Sequence, residues 1–269
     1  MKSRVSFLAP LFITITLCYS VGYAFDLFGP PAATLKEGWC STNLEYLYSS
    51  MDVEADGLRV GPLLFSSDTI ENIASNKFYV NFASGLTDDC EVYWRLGAID
   101  MDPDRGYNRD NFAGYIGDSD YEFAVGAGTK INFGQSEDGM EIWSLVAQAS
   151  YASLDFDKRI STLHEATTIL SAEADIWEAQ VAVGYTYRYA DDICFYCGPF
   201  LHFVGGEAEV RGTVDGVPGK DKTDLEEESR LGGYIGTEIG LADDLSLCLE
   251  LQFTGARYAL GGSLIWRLK

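Results

Sequence analysis

Charged side chains recur at one parity along several stretches of this chain: Glu45, Glu91 and Arg95, Glu122 and Lys130, Glu178 and Arg188, His202, Glu238, Glu250 and Arg267. Gathered inside one fold, carboxylates and cations of this kind must pair or be wetted, because an unpaired buried ion costs several kcal/mol. Two chemistries follow, a closed salt-bridge network or a narrow ion path, and the little free space inside a small fold favours the closed network. Catalysis has little to stand on. The chain has two histidines, His164 beside Glu165 in an acidic stretch and His202 between Leu201 and Phe203, and neither stands in a spacing that would activate a nucleophile. No catalytic residue, cofactor or resident metal is expected. Cys194 and Cys197 form a CxxC, but three positions apart on a strand they face opposite sides and should not bridge each other. Asp100, Asp102 and Asp104 alternate like a calcium loop, yet Arg105 stands where the turn needs glycine.

The element that must carry these charges is clearest between Ile176 and Phe203. There Trp177, Ala179, Val181, Val183, Tyr185, Tyr187 and Tyr189 alternate with Glu178, Gln180, Ala182, Gly184, Thr186 and Arg188, a period of two that no helix can present. Ala190-Asp191-Asp192 turns the chain into a second strand of the same kind. From Trp177 to Tyr187, ten residues at about 3.3 Å each and tilted by about 40° rise roughly 25 Å, the height of the apolar band on a transmembrane β-barrel. Tyr46, Trp143, Tyr151, Trp177, Tyr187, Tyr189, Tyr258 and Trp266 are the expected aromatic girdles.

The same alternation predicts strands over 42–51, 77–85, 90–100, 121–133, 141–154, 176–189, 193–203, 230–241, 245–253 and 258–268. Residues 52–75, 102–118, 155–174 and 207–228 read as long connections, and Asp-Asp pairs mark short turns. Short turns at one end and long loops at the other require an even strand number in a barrel with both termini in the periplasm. The fold class is therefore all-β, an antiparallel transmembrane barrel of about ten strands, with eight or twelve as alternatives. A secreted soluble barrel binding a hydrophobic ligand would share the pattern but turn its apolar face inward, and so many interior charges oppose it.

Lys2 and Arg4, the apolar run Val5–Val21 and the small-x-small sequence Gly22-Tyr23-Ala24 predict a signal peptide cleaved after Ala24. Residues 25–40, with Pro30 and Pro31, then form an extended periplasmic lead-in, and 41–269 the barrel. Loss of Lys2 and Arg4 takes the net charge from -22 to -24. Acidity of this size opposes nucleic acid as a partner and favours divalent cations or basic partners at the outer loops, with outer-membrane lipid around the wall of a monomer. The cysteines left after cleavage, Cys40, Cys90, Cys194, Cys197 and Cys248, are odd in number, and no bridge within the wall is expected.

With its alternating strands, Asp-Asp turns, aromatic girdles and terminal strand Tyr258–Leu268, the mature chain resembles the small OmpA-like and Opa-like outer-membrane barrels along essentially its whole length. That resemblance implies a Gram-negative outer membrane and a structural or adhesion-like role, with a small porin or ion channel as the alternative. The chain departs from the pattern at its end, Trp266-Arg267-Leu268-Lys269, where such barrels usually finish on an aromatic residue.

Overall fold

The computed structural model describes residues 26–55, 58–60, 63–65, 68–102, 119–163, 166–214, 217–226, 231–254 and 257–268. The expected leader with its cleavage point, Asp104, and His164 with Glu165 lie outside them. The strands are β1 (Cys40–Ala55), β2 (Leu58–Val60), β3 (Leu63–Phe65), β4 (Asp68–Thr87), β5 (Cys90–Asp102), β6 (Glu122–Gln135), β7 (Glu141–Leu163), β8 (Ala166–Ala190), β9 (Ile193–Val214), β10 (Val217–Glu226), β11 (Leu231–Ala242), β12 (Leu245–Thr254) and β13 (Arg257–Leu268). Eleven of them form one antiparallel sheet in which β1 also pairs with β4, so that all but β10 close into a ring of ten. Closure removes every free edge from the wall, which is what a sheet without water around it requires.

The faces of the wall are inverted relative to a soluble barrel. Trp94, Phe123, Phe133, Trp177, Val181, Val183, Leu249, Leu251 and Leu260 are among the large apolar side chains exposed on the outside. The lumen holds Glu45, Lys77, Arg95, Glu178, His202 and Glu250, all buried. This arrangement removes the premise of the soluble barrel with an apolar interior. Inward glycines let large neighbours lie flat across the lumen: a Cβ at Gly128 would stand 2.3 Å from the Tyr93 ring, and one at Gly236 would stand 2.2 Å from Tyr196.

Several strands outrun the apolar pattern. β7 and β8 continue 23 and 25 residues and stay paired to Leu163↔Ala166, so residues 155–174 are a projecting hairpin rather than a connection. The stretch 207–228 likewise holds the end of β9 and all of β10, paired from Glu207↔Asp224 to Val214↔Val217. β10 then reaches across to β1 through Ala55↔Leu225 and Glu54↔Glu226. A ladder needs only backbone groups, so pairing persists past the last lipid-facing aromatic while the outward apolar face that betrays it stops. At the opposite end the turns are tight. In the longest of them Gly139 takes φ 68°, and Asp138 Oδ1 accepts from Ser136 Oγ and Met140 N, which holds its carboxyl below the ordinary range.

Candidate functional site

Residues 26–39 do not form a periplasmic lead-in. They run inside the barrel, rising from the turn end at Cys40, with Asp26, Leu27, Phe28, Ala32, Ala33 and Leu35 each no more than 4% exposed. Near the foot of the segment Gly38 N donates to Gly85 O, and Gly85 N donates back to Trp39 O. Above that point the segment makes no ladder, and wall side chains bind its main chain instead. Asp88 and Glu91 accept from Glu37 N and Thr34 N, at 3.2 and 3.4 Å. Asn132 clasps Ala33 from both sides, accepting from its N–H and donating to its C=O, each at 2.9 Å. Lys130 Nζ donates to Pro30 O at 2.8 Å, and Phe28 N donates to Glu250 Oε1 at 3.1 Å. Gln148 and Gln252 both donate to Asp26 O, at 3.0 and 2.9 Å.

Asp26 is the centre of the buried charge. Its Oδ1 accepts from Lys77 Nζ at 3.1 Å, and its Oδ2 lies 3.2 Å from Arg95 Nη1. Lys77 Nζ also donates to both oxygens of Glu178, at 2.7 and 2.8 Å, and His202 Nε2 lies 3.7 Å from the same carboxylate. Arg95 Nη1 is 3.9 Å from Glu45 Oε1, and the guanidinium lies over the rings of Tyr79 and Tyr93. Two buried cations thus stand among three buried carboxylates, an arrangement in which each charge depends on the others for its solvation. Below Asp26, Phe28 packs between Phe200 and Tyr234 with ring centroids 5.5 and 4.8 Å away. Toward the loop end an apolar layer caps the ions, with Ile99, Met101, Leu154 and Ile176 among its buried members.

Of the charges singled out in the sequence, Glu45, Arg95, Glu178 and His202 meet around Asp26, while Glu250, Glu91 and Lys130 grip the segment lower down. Glu238 and Arg267 pair near the turn end, where Ser246 Oγ donates to Glu238 and Arg267 Nη1 donates to Ser246. Arg188 and Glu122 stay out of the network. Arg188 is exposed where β8 reaches its turn, and Glu122 is half-buried at the loop end of β6. Sequence reasoning missed Asp26 and Lys77. Lys77 shares its parity with the inward Tyr79 and Asn81, a signal that was legible; Asp26 has no periodic neighbour to betray it.

The girdle residues fall at two heights. Trp143, Tyr187, Tyr189 and Trp266 lie toward the turns, and Tyr151, Trp177 and Tyr258 toward the loops, with Tyr151 paired to Trp177 across β7 and β8. Tyr46 belongs to neither ring. It pairs with Gly262, halfway along β13, and its hydroxyl donates to Asn76 Oδ1 at 2.9 Å. The cysteines are all free among the described residues, and Cys194 and Cys248 both face Glu238 from opposite neighbouring strands. Asp100 of the calcium-like run accepts from Asn76 Nδ2.

The fold and the inverted faces together define the class, a ten-stranded membrane-type antiparallel β-barrel with an ionic interior. Neither a family model nor a curated protein matches the chain. Solved structures similar to it include an outer-membrane channel from Pseudomonas putida F1, at 12% identity over 91% of this chain and 100% of that one with a TM-score of 0.45. Others are the outer membrane protein OprG from Pseudomonas aeruginosa, at 10% identity over 87% and 98% with a TM-score of 0.44, and the outer membrane protease OmpT from Escherichia coli, at 8% identity over 87% and 96% with a TM-score of 0.44. Likenesses at these identities and scores carry no argument about this chain.

Proposed function

We propose that this protein spans the outer membrane of a Gram-negative bacterium as a monomeric barrel closed by its own N-terminal segment, with a structural or surface-interaction role exercised through its outer hairpins. The observation that carries this reading is the burial of Asp26 between Lys77 and Arg95, which puts a main-chain segment where a general pore would hold water. The projecting β7–β8 and β9–β10 hairpins supply the working surface. Glu173, Glu207, Glu209, Arg211, Lys220 and Lys222 interleave on their outer faces as three carboxylates paired with three cations, a charge-balanced polar surface. Planar-bilayer recording tests the closed state: the full-length chain should show rare openings or none, and a large steady conductance would replace this reading with an open porin.

A narrow gated conduit is the second reading, favoured by one feature. A cavity of about 40 Å³ lies between the segment and the wall, lined by Glu45, Glu91, Arg95, Lys130, Glu238 and Arg267 among others. That is room for a few water molecules beside a charged lining.

A further inference from the structure

We infer that the lumen is a binding site for an extended peptide, and that residues 26–39 are its resident, displaceable ligand rather than an integral part of the wall. This rests on the membrane-barrel reading and extends it to how the lumen opens. The wall is complete without the segment: β1 pairs with β13 on one side and β4 on the other along most of its length, so no ladder is left open when the segment leaves. The segment above Gly38 contributes no strand to the sheet. Its main chain is received by side chains instead, those of Glu91, Asn132, Lys130, Glu250, Arg95 and Gln148, which contact backbone N–H and C=O groups rather than particular residues. Recognition of that kind is how an extended peptide is bound, with main-chain hydrogen bonds giving affinity and a few side-chain pockets giving specificity.

Specificity comes from two places. The Asp26 carboxylate meets Lys77 and Arg95, and the Phe28 ring fills the slot between Phe200 and Tyr234. The preferred ligand is therefore a peptide with an acid two residues ahead of an aromatic. Pro30 and Pro31 follow, and lacking N–H groups they leave no unmet donor in the lumen. The cavity along one flank is lined by Glu45 and Asn81, whose Oε1 and Oδ1 are buried acceptors without a hydrogen-bond partner among the described residues. Water entering there would solvate the charges as the segment withdraws.

The test compares the full chain with a variant lacking residues 26–37, each folded in detergent and inserted into planar bilayers, with a synthetic peptide of residues 26–37 as the probe. The truncated barrel should carry steady current where the full chain is silent, and the peptide added from the turn side should close it in a dose-dependent way. The same peptide with Asp26→Asn should close it less well, and a scrambled peptide should have no effect. Full-length Asp26→Asn, which keeps the segment but removes its charge from Lys77 and Arg95, should open more often than wild type. This variant carries the test if the truncation fails to fold. A folded truncated barrel that stays silent, a current indifferent to the peptide, or a silent Asp26→Asn chain beside an unfoldable truncation overturns the inference. Failure of every form to insert overturns the membrane reading itself, and the inference with it.

Discussion

Lys77 is the cation that joins the segment to the wall. It is 1% exposed and serves Asp26 and Glu178 together, so truncating it takes a cation from two buried carboxylates and leaves Asp26 to Arg95 alone. Removing one partner from a buried ionic group costs about 3–5 kcal/mol, and Lys77→Ala should show a loss of that size in urea unfolding from lipid vesicles. Lys220→Ala, which breaks an exposed contact to Glu209, should be indistinguishable from wild type in the same measurement. Gln180 faces the lumen from β8, two residues on from Glu178. It is 1% exposed and accepts from Gln148, so Gln180→Arg should be poorly tolerated. A period of two tells inward from outward, but it cannot tell an inward side chain facing water from one facing another segment of the same chain.

At the scale of the strand, the lipid belt and the packed lumen make opposite demands on neighbouring residues. Val183 sits midway between Trp177 and Tyr189 on the outer face of β8, so Val183→Arg should cost about 2–4 kcal/mol, against about 0–1 kcal/mol for Tyr189→Arg near the boundary. Folding titrations into thin and thick bilayers measure the difference, and equal costs would mean the belt is misplaced. Inside, Gly128→Val drives a side chain into the Tyr93 ring and should cost about 1–3 kcal/mol. Gly134→Ala, whose new Cβ would meet nothing closer than 3.6 Å, should stay within about 0.5 kcal/mol of wild type. The strands crossing the membrane were legible because lipid on one side and a polar lumen on the other write period two into the sequence. Leu154 to Leu163, Ala166 to Asp175 and β10 lie beyond the lipid, and the sides of the sheet change roles there: Leu154, Ala172 and Ala174 are buried under the apolar cap while Asp155, Glu173 and Asp175 face out. There the outward apolar face that marks a membrane crossing is lost although the ladder continues, and the same stretches read as loops.

For the whole molecule, the decisive relation is between the wall and residues 26–39, which no local pattern foretells. A segment with two prolines, two positive-φ glycines at Gly29 and Gly38 and no alternation reads as a linker, and its burial depends on side chains from seven different strands. The outside of the barrel imposes its own condition: with so much apolar surface exposed, the folded protein should require detergent or bilayer, and monodisperse material without amphiphile would contradict a lipid-facing wall. Both relations are tested together by methyl NMR of the protein in lipid nanodiscs, with a nitroxide carried on the lipid chains and, separately, a water-soluble gadolinium chelate. The outward methyls of Val183, Leu249, Leu251 and Leu260 should broaden with the lipid nitroxide, whereas those of Leu27, Leu35, Leu47 and Val146, each no more than 2% exposed, should be untouched by either agent. Broadening of Leu27 and Leu35 by the gadolinium chelate would put the N-terminal segment outside the lumen, and outward methyls indifferent to the lipid nitroxide would take the barrel out of the membrane.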